Sequence, residues 1–346
     1  MKRLQVAGSP WRALWLGIAV LVVAGFGPAS AATWKVGRAA GSCDGPCNYD
    51  DTSDGIQLSI QYCLSRPATL PGDTVLVYPG DYIRGGEVPS GVVIRAVYGP
   101  DTTRIVGSAS GEAAFLIVAG NPSTKIDGMG FTFDHNNALG GAIAAFVSGG
   151  TITNCLFDGC RASVGSAIYL QFSDMIVENN LFVDNETVAG GGTIAIAGGS
   201  PTIRNNTFAR NRSPFGTEGA SVYGSVSSFV LDRNVIWGSD GGQAVYCAGT
   251  NTPTVTCNIF WENAFGSFGG SCADSVGFSG NTSVDPFFCD PDFDDFGFCA
   301  DSPALIGTCG TIGYASPGGN CAACNVVSVA NLETRSWAGV KALYRN

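Results

Sequence analysis

A repeat of about 26 residues is the feature of this sequence that most restricts its fold. The pattern aliphatic-x-Asn-x-x-Phe occurs at residues 152–157, 177–182 and 203–208, at steps of 25 and 26 residues. Weaker copies lie at residues 126–131, 231–236 and 255–260. A unit this short cannot bury its own apolar side, whereas stacked copies bury a continuous core. The chain is therefore predicted to be a solenoid of short strands.

The spacing favours an all-β, right-handed parallel β-helix of roughly eight coils between residues 74 and 285, about 40 Å long at one strand spacing per coil. Equivalent Phe and Ile residues are expected to stack inside. Asn154, Asn179 and Asn205 are expected to stack at a turn, where Asn tolerates the left-handed conformation. A β-propeller is excluded because its blades need about 40 residues.

The composition agrees with many tight turns. The 346 residues include 49 Gly, and only 13% of the residues are charged, about half the usual share. Gly-rich elements recur after each Phe, as at residues 140–143 and 191–194, and they are interpreted as coil corners with positive φ. The formal net charge is −10, which disfavours nucleic acid and anionic membranes as partners.

Five segments are predicted along the chain. Residues 1–31 are interpreted as a secretory signal peptide, because an apolar run at 13–27 follows basic residues and precedes an Ala-x-Ala motif at 29–31. The mature chain is then expected to begin at Ala32 and to be secreted or held at the cell surface.

In the mature chain, residues 32–72 are predicted to form an N-terminal cap with a helix through 55–63, whose inner face contains Ile56, Ile60 and Cys63. The β-helix occupies 73–285, a disulfide-rich C-terminal cap 286–319, and a tail with sorting or attachment potential 320–346. Membrane contact is expected only through the signal peptide or that tail.

The cysteines indicate an oxidising compartment. All 13 lie after residue 31, which with a signal peptide predicts disulfides. Close spacings suggest local staples within five groups, although the connectivity is left open: Cys43/Cys47/Cys63, Cys155/Cys160, Cys247/Cys257/Cys272, Cys289/Cys299 and Cys309/Cys321/Cys324.

Three stretches of the chain resemble the pectin-lyase-like superfamily of right-handed β-helix proteins. The opening, residues 55–107, is similar to the first helix and coils of that family. The middle resembles the Phe-x-x-Asn / Gly-Gly-Ala-Ile repeats of polymorphic outer-membrane proteins. The close, residues 284–313, is similar to the last coil of secreted bacterial β-helix proteins. The resemblance implies the fold strongly and an activity weakly, because this scaffold serves lyases, hydrolases, adhesins and structural rods.

The motifs of catalytic relatives are incomplete in this chain. Lyase roles are considered for Asp134, His135, Arg210 and Arg212, but the expected pair of arginines around a proline is absent. His135 is the one histidine, and no Gly-His-Gly element of a polygalacturonase is present. Inverting hydrolysis needs only two or three carboxylates across a cleft, so Asp158, Asp184 and Asp232 are hydrolase candidates, with solvated turn residues as the alternative.

Two further sets of residues are candidates for binding. Asp290, Asp292, Asp294 and Asp295 present oxygen ligands at the spacing that suits calcium, although the Gly and terminal Glu of an EF-hand loop are missing. Trp237, Tyr246 and Trp261 would stack on sugar rings if they are exposed, and they would form core if they are buried.

The sequence favours a non-catalytic, adhesin-like β-helix protein that is secreted or at the cell surface and binds carbohydrate or another surface component. The alternative is a polysaccharide lyase or glycoside hydrolase acting on acidic polysaccharide. An ordered set of catalytic motifs would distinguish the two, and none is found.

Overall fold

The computed structural model describes residues 31–37, 59–65, 69–107, 112–134, 139–214, 218–314 and 321. Within them, short strands alternate with turns, and the strands of the solenoid pair in parallel with their counterparts one coil later. Three long sheets result, which we name A, B and C. Sheet A has nine strands and sheets B and C have eight each, so the predicted parallel β-helix of roughly eight coils is confirmed.

Sheet A contains, in spatial order, β1 (Thr33–Val36), β2 (Thr74–Val77), β5 (Val93–Ala96), β8 (Lys125–Asp127), β11 (Thr151–Thr153), β15 (Ile176–Glu178), β19 (Thr202–Arg204), β22 (Val230–Asp232) and β25 (Thr254–Thr256). Sheet B contains β3 (Gly80–Tyr82), β6 (Thr103–Val106), β9 (Gly130–Thr132), β12 (Leu156–Asp158), β16 (Leu181–Val183), β20 (Thr207–Ala209), β23 (Val235–Trp237) and β26 (Ile259–Trp261). Sheet C contains β4 (Gly86–Val88), β7 (Phe115–Val118), β10 (Ile143–Phe146), β14 (Ile168–Gln171), β18 (Ile194–Ala197), β21 (Val222–Ser225), β24 (Val245–Ala248) and β27 (Phe268–Gly270).

The remaining elements are short. A parallel pair, β13 (Arg161–Ala162) and β17 (Glu186–Thr187), lies at the corner between sheets B and C. An antiparallel pair, β28 (Phe288–Asp290) and β29 (Asp295–Phe298), flanks a 3-10 helix at Pro291–Phe293. Helix α1 (Ser59–Leu64) contacts β1 and β4 with Ile60 and Cys63 buried, as expected for the N-terminal helix; Ile56 lies outside the described residues. Helix α2 spans Pro303–Ile306.

The core consists of columns of like side chains stacked along the axis. Phe131, Phe157, Phe182 and Phe208 stack in turn, with ring centroids 4.9, 4.6 and 4.7 Å apart and interplanar angles below 10°. The distances are close to the strand spacing, because equivalent positions repeat once per coil. The predicted internal stacking of the repeat's Phe is confirmed.

The asparagine ladder lies one residue later than the sequence suggested. Asn154, Asn179 and Asn205 adopt positive φ of 53–54° at the turn between sheets A and B. Asn179 does donate to Asn154, but Asn205 donates to the carbonyl of Thr311. The continuous ladder is formed by the fully buried residues that follow each such turn position: Asn180, Asn206, Asn234, Asn258 and Asn281.

The cysteine groups were only partly right. Cys155 and Cys160 are not bonded to each other; both are free and buried. They occupy ladder positions, since the N–H of Cys155 donates to Asn180 Oδ1 and that of Cys160 to Asn185 Oδ1. The disulfides Cys247–Cys272, Cys257–Cys309 and Cys289–Cys321 cross-link the C-terminal part, and only the first joins members of one suggested group.

The C-terminal segment packs along the side of the solenoid. Residues 286–314, which we call the strap, lie on the outer face of sheet B. There Phe288, Phe296 and Phe298 form a second core with Val183 and Val235. The disulfide Cys257–Cys309 ties the strap to the coils. The strap therefore covers part of sheet B, and among the described residues no such segment lies on sheet C.

Candidate functional site

The outward face of sheet C carries no charge over most of its length. Alternate residues of its strands point to opposite sides, so that Ile143 and Ala145, for example, point inward and Ala144 and Phe146 outward. Three outward residues of the middle strands are nevertheless buried: Ala144, Tyr169 and Ala195 are 3%, 9% and 1% exposed. From β7 to β27 the outward residues are uncharged throughout: Leu116, Val118, Ala144, Phe146, Tyr169, Gln171, Ala195, Ala197, Tyr223, Ser225, Tyr246, Ala248 and Gly269. On a chain of net charge −10, this face is a neutral strip roughly 30 Å long at one strand spacing per coil.

One column of this strip contains three tyrosines and three small residues. Tyr169, Tyr223 and Tyr246 share a register with Ala144, Ala195 and Gly269. The rings of Tyr223 and Tyr246 lie parallel, with 6.0 Å between centroids. Burial raises the pKa of Tyr169, and burial together with Glu218 raises that of Tyr223. These phenols therefore remain neutral hydrogen-bonding groups at physiological pH.

A ridge of apolar residues borders the strip at the corner between sheets C and A. Val147, Phe172 and Val226 have φ of 48–50° and are 65–68% exposed. Gly198 and Gly249 occupy the equivalent position in neighbouring coils, also with positive φ. Bulky side chains are strained in this conformation and glycine is not. The ridge thus carries exposed apolar side chains where glycine would fold at lower cost.

A separate groove lies on sheet B beside the strap. Its cavity has a volume of about 420 Å³, and its lining includes the carboxylates of Asp101, Asp158, Asp294 and Asp295, together with Tyr314. Burial and the neighbouring carboxylates of Asp184 and Asp294 raise the pKa of Asp158. Of the three hydrolase candidates, Asp158 and Asp184 therefore converge here. Asp232 lies on sheet A and accepts a hydrogen bond from Thr256.

Arg210 joins this groove to the strap. Its guanidinium donates to Asp184 at 2.7 Å, to Asp294 at 2.5 Å and to the carbonyl of Pro291 at 2.8 Å. It also lies 5.2 Å from the ring centroid of Phe296. The bond to Asp184 and the carboxylate of Asp294 raise the pKa of Arg210. A guanidinium held in this way links the strap to the coils. It is also a poor proton acceptor.

The lyase candidates do not form one constellation. Asp134 and Arg212 belong to a row of alternating charges on the corner between sheets B and C, whereas Arg210 lies in the groove. The row runs through five residues in ion-pair contacts of 3.1–3.9 Å: Asp134, Arg161, Glu186, Arg212 and Asp240. His135 lies outside the described residues. The row stabilises stacked coils, and it holds Arg212 away from Arg210's partners.

The four aspartates considered for calcium do not converge on one point. Asp294 binds Arg210, and Asp295 accepts a hydrogen bond from the N–H of Gly297. Asp290 and Asp292 lie on β28 and in the 3-10 helix. Among the residues that the structure describes, no group of three or more His, Cys, Asp or Glu side chains is placed to hold a metal ion. This geometry lends the calcium hypothesis no support.

The aromatic candidates lie on two different faces. Trp237 packs against Phe288 and Phe296 of the strap, and Trp261 borders a small groove of about 270 Å³ beside it. Only Tyr246 lies on the neutral strip. Sequence reasoning missed Tyr169 and Tyr223, although they directly follow the Ile or Val that closes the Gly-rich element of their coils. That position alternates with the buried one and so faces outward.

Comparison with known families agrees with this architecture. Residues 119–284 match a family model described as "Right handed beta helix region", which is the part of the chain that forms six of the coils. The fold is thus a right-handed parallel β-helix, and it fits the pectin-lyase-like superfamily that the resemblance indicated. The likeness to outer-membrane repeats stays a prediction.

No curated protein matches the sequence. Among the described residues, no helix is both long and apolar enough to cross a membrane.

Proposed function

We propose that this protein is an exported, non-catalytic binding protein that holds a neutral polysaccharide, or another uncharged surface component, along the strip on sheet C. The observation that carries the proposal is the absence of any charged side chain among the outward residues of β7–β27, in a chain that is strongly acidic elsewhere. An acidic polymer would meet repulsion from the rest of the molecule, whereas a neutral chain would meet a complementary surface.

The chemistry of the strip suits sugar rings. The exposed parts of Tyr223 and Tyr246 offer two parallel aromatic rings in successive coils, and aromatic faces stack on the apolar faces of sugars. Their hydroxyls and the side chains of Gln171 and Ser225 supply hydrogen bonds without charge. A linear ligand would lie along the solenoid axis and contact one coil after another.

The test is binding to immobilised polysaccharides of known charge, with polyuronates and neutral glucans or mannans compared at the same ionic strength. The proposal predicts retention by at least one neutral polymer and none by polyuronates. Preferential retention by a polyuronate would contradict it. So would failure of every neutral glycan and every uncharged surface polymer to retain the protein.

A second candidate function, glycoside hydrolysis, is favoured by Asp158. A carboxyl group with a raised pKa beside an ionised carboxylate is the arrangement that glycosidases use for general acid catalysis. Asp158 has both properties in the groove on sheet B. The surrounding carboxylates disfavour a polyuronate there, so the substrate of this alternative would be neutral.

Release of reducing ends from neutral polysaccharides tests this alternative directly. Turnover that is lost in Asp158→Asn and kept in Asp134→Asn would favour the hydrolase. For the lyase version, polyuronate and calcium are supplied and the ultraviolet absorbance of unsaturated product is followed. Binding without turnover in both assays is what the non-catalytic proposal predicts.

A further inference from the structure

A buried carboxylate lies beside the first strand of sheet A. The side chain of Asp73, which is 3% exposed, accepts hydrogen bonds from Ala32 N at 2.7 Å, from Trp34 Nε1 at 2.9 Å and from Leu70 N at 2.9 Å. Burial acts to raise the pKa of Asp73, but the bonds from Leu70, Trp34 and Ala32 hold it below its ordinary value. Asp73 is therefore ionised at neutral pH.

No Lys or Arg side chain of the described residues forms an ion pair with Asp73. Within the part of the chain that the structure describes, the Lys and Arg side chains that form ion pairs do so with other carboxylates, and none pairs with Asp73. Buried charges are ordinarily paired because desolvation is costly. The shortest of the three bonds to Asp73 comes from the backbone nitrogen of Ala32, directly before strand β1.

We propose that hydrolysis of the Ala31–Ala32 peptide bond by an endopeptidase that cleaves after small residues turns this nitrogen into an α-ammonium group, which forms a buried ion pair with Asp73. Water adds across the amide: its hydroxyl goes to the Ala31 carbonyl carbon and its hydrogen to the Ala32 nitrogen, which then takes up a further proton. The Ala-x-Ala motif at residues 29–31 is the sequence such an enzyme selects.

The geometry around Ala32 fits a new chain start. Its carbonyl accepts the N–H of Thr74 at 2.9 Å, and β1 then pairs with β2 in register, Thr33 opposite Thr74. No residue would be left over between the new terminus and the strand. Processing would thereby stabilise the first strand of sheet A. The hydrogen bond from Ala32 N to Asp73 would become stronger, because its donor would change from a neutral amide to a charged ammonium group.

The ion pair also sets a pH dependence. An α-amino group has an ordinary pKa of about 8, and the Asp73 carboxylate raises the pKa of the α-ammonium in the folded protein. Its contribution to stability is present in full below about pH 8 and is lost as the pH rises through the raised value. The groups that face it are the Asp73 carboxylate and the Trp34 indole, and of these only Asp73 carries a charge.

The experiment begins with the full-length chain expressed in a secreting host, followed by terminal sequencing of the exported protein. It then compares three forms: the exported protein, the same protein acetylated at its α-amine, and the unprocessed chain. Asp73→Asn is made in the exported and unprocessed forms, with Asp81→Asn, an exposed carboxylate bound to Arg104, as the matched control. The readout is hydrogen exchange of the β1 amides.

The expected start is Ala32. Asp73→Asn should speed exchange of β1 at least tenfold more in the exported form than in the unprocessed one, and Asp81→Asn should act equally in both. Should Asp73→Asn not fold, the wild-type forms still decide: the exported form should lose β1 protection between pH 8 and 10, and the acetylated form should not. A start elsewhere than Ala32, or equal pH profiles of the exported and acetylated forms, would overturn the proposal. These outcomes are independent of any result on glycan binding.

Discussion

The guanidinium of Arg210, just after strand β20, binds the carboxylate of Asp294, which lies 84 residues later in the chain. The same guanidinium holds Asp184 from the neighbouring coil. One side chain therefore links two adjacent coils to the strap. This contact explains why Arg210, which the sequence offered as a catalytic candidate, is better understood as a structural residue.

Replacing Arg210 should loosen the strap. In Arg210→Ala the carboxylates of Asp184 and Asp294 lose their shared donor, and we expect a loss of about 2 kcal/mol in the free energy of unfolding. Urea unfolding measures the loss, and limited proteolysis locates the first cut. Arg212→Ala, which removes an arginine from the exposed row of ion pairs, is the matched control and should have a smaller effect. Equal losses of unfolding free energy in the two variants would show that Arg210 does not hold the strap on the coils.

The asparagine ladder predicts opposite outcomes for two adjacent residues. Asn206 is fully buried and bonds Val177, Arg204 and Asn234. Asn206→Ala leaves buried groups unpaired and should cost about 3 kcal/mol or more. Asn205 has φ of 53°, so Asn205→Gly relieves strain and should stay within about 1 kcal/mol of the wild type.

Thermal unfolding of Asn206→Ala and Asn205→Gly, with the disulfides intact, compares the two substitutions. A larger loss for Asn205→Gly would mean that the outer turn residues carry the ladder, as the sequence alone had suggested.

The raised pKa of Asp158 predicts how the groove responds to pH. The pKa of Asp158 is higher in the folded protein than in the unfolded chain. At pH values between these two pKa values, the folded protein therefore binds more protons than the unfolded chain. Its contribution to stability therefore improves as the pH falls through the folded value, and it levels off below about pH 4. In Asp158→Asn this component should vanish. The groups facing Asp158 are Asp184, Asp294, Arg104 and Arg210.

Stability measured from pH 7 to pH 4 for wild type, Asp158→Asn and Asp134→Asn checks this prediction. Asp158→Asn should be more stable than wild type at pH 7 and have the flatter profile, whereas Asp134→Asn should follow the wild-type slope. A steeper profile for Asp158→Asn would contradict the assigned direction.

The fold could be predicted from the sequence because the same pattern of inward and turn residues recurs in successive coils. From Ile105 to Phe260 each coil places Phe or Ile at the same inward position, so the stacking of Phe157 on Phe182 follows from spacing alone. The prediction for the asparagine ladder was wrong by one residue: it placed the ladder at Asn179 and its equivalents, whereas the continuous ladder begins at Asn180. A turn residue with positive φ redirects the chain, and that redirection decides which neighbouring side chain points inward.

The candidate site was harder to predict because it depends on which face is covered. Trp237 and Tyr246 look alike in the sequence as outward aromatic residues. The strap, which returns from residues 286–314, covers Trp237 and leaves Tyr246 in the neutral strip. No local sequence pattern predicts where such a segment packs, because the residues it contacts, such as Val183 and Val235, lie far from it in the sequence.

The most direct test of the account is the affinity of the protein for its neutral glycan after removal of the parallel tyrosines. Tyr223→Ala/Tyr246→Ala should weaken binding about tenfold or more, measured by isothermal titration calorimetry with the polymer retained in the binding screen. Tyr98→Ala removes a tyrosine that is 67% exposed away from sheet C and should bind as the wild type does. Unchanged affinity in the double variant, or equal weakening by Tyr98→Ala, would contradict binding along the strip.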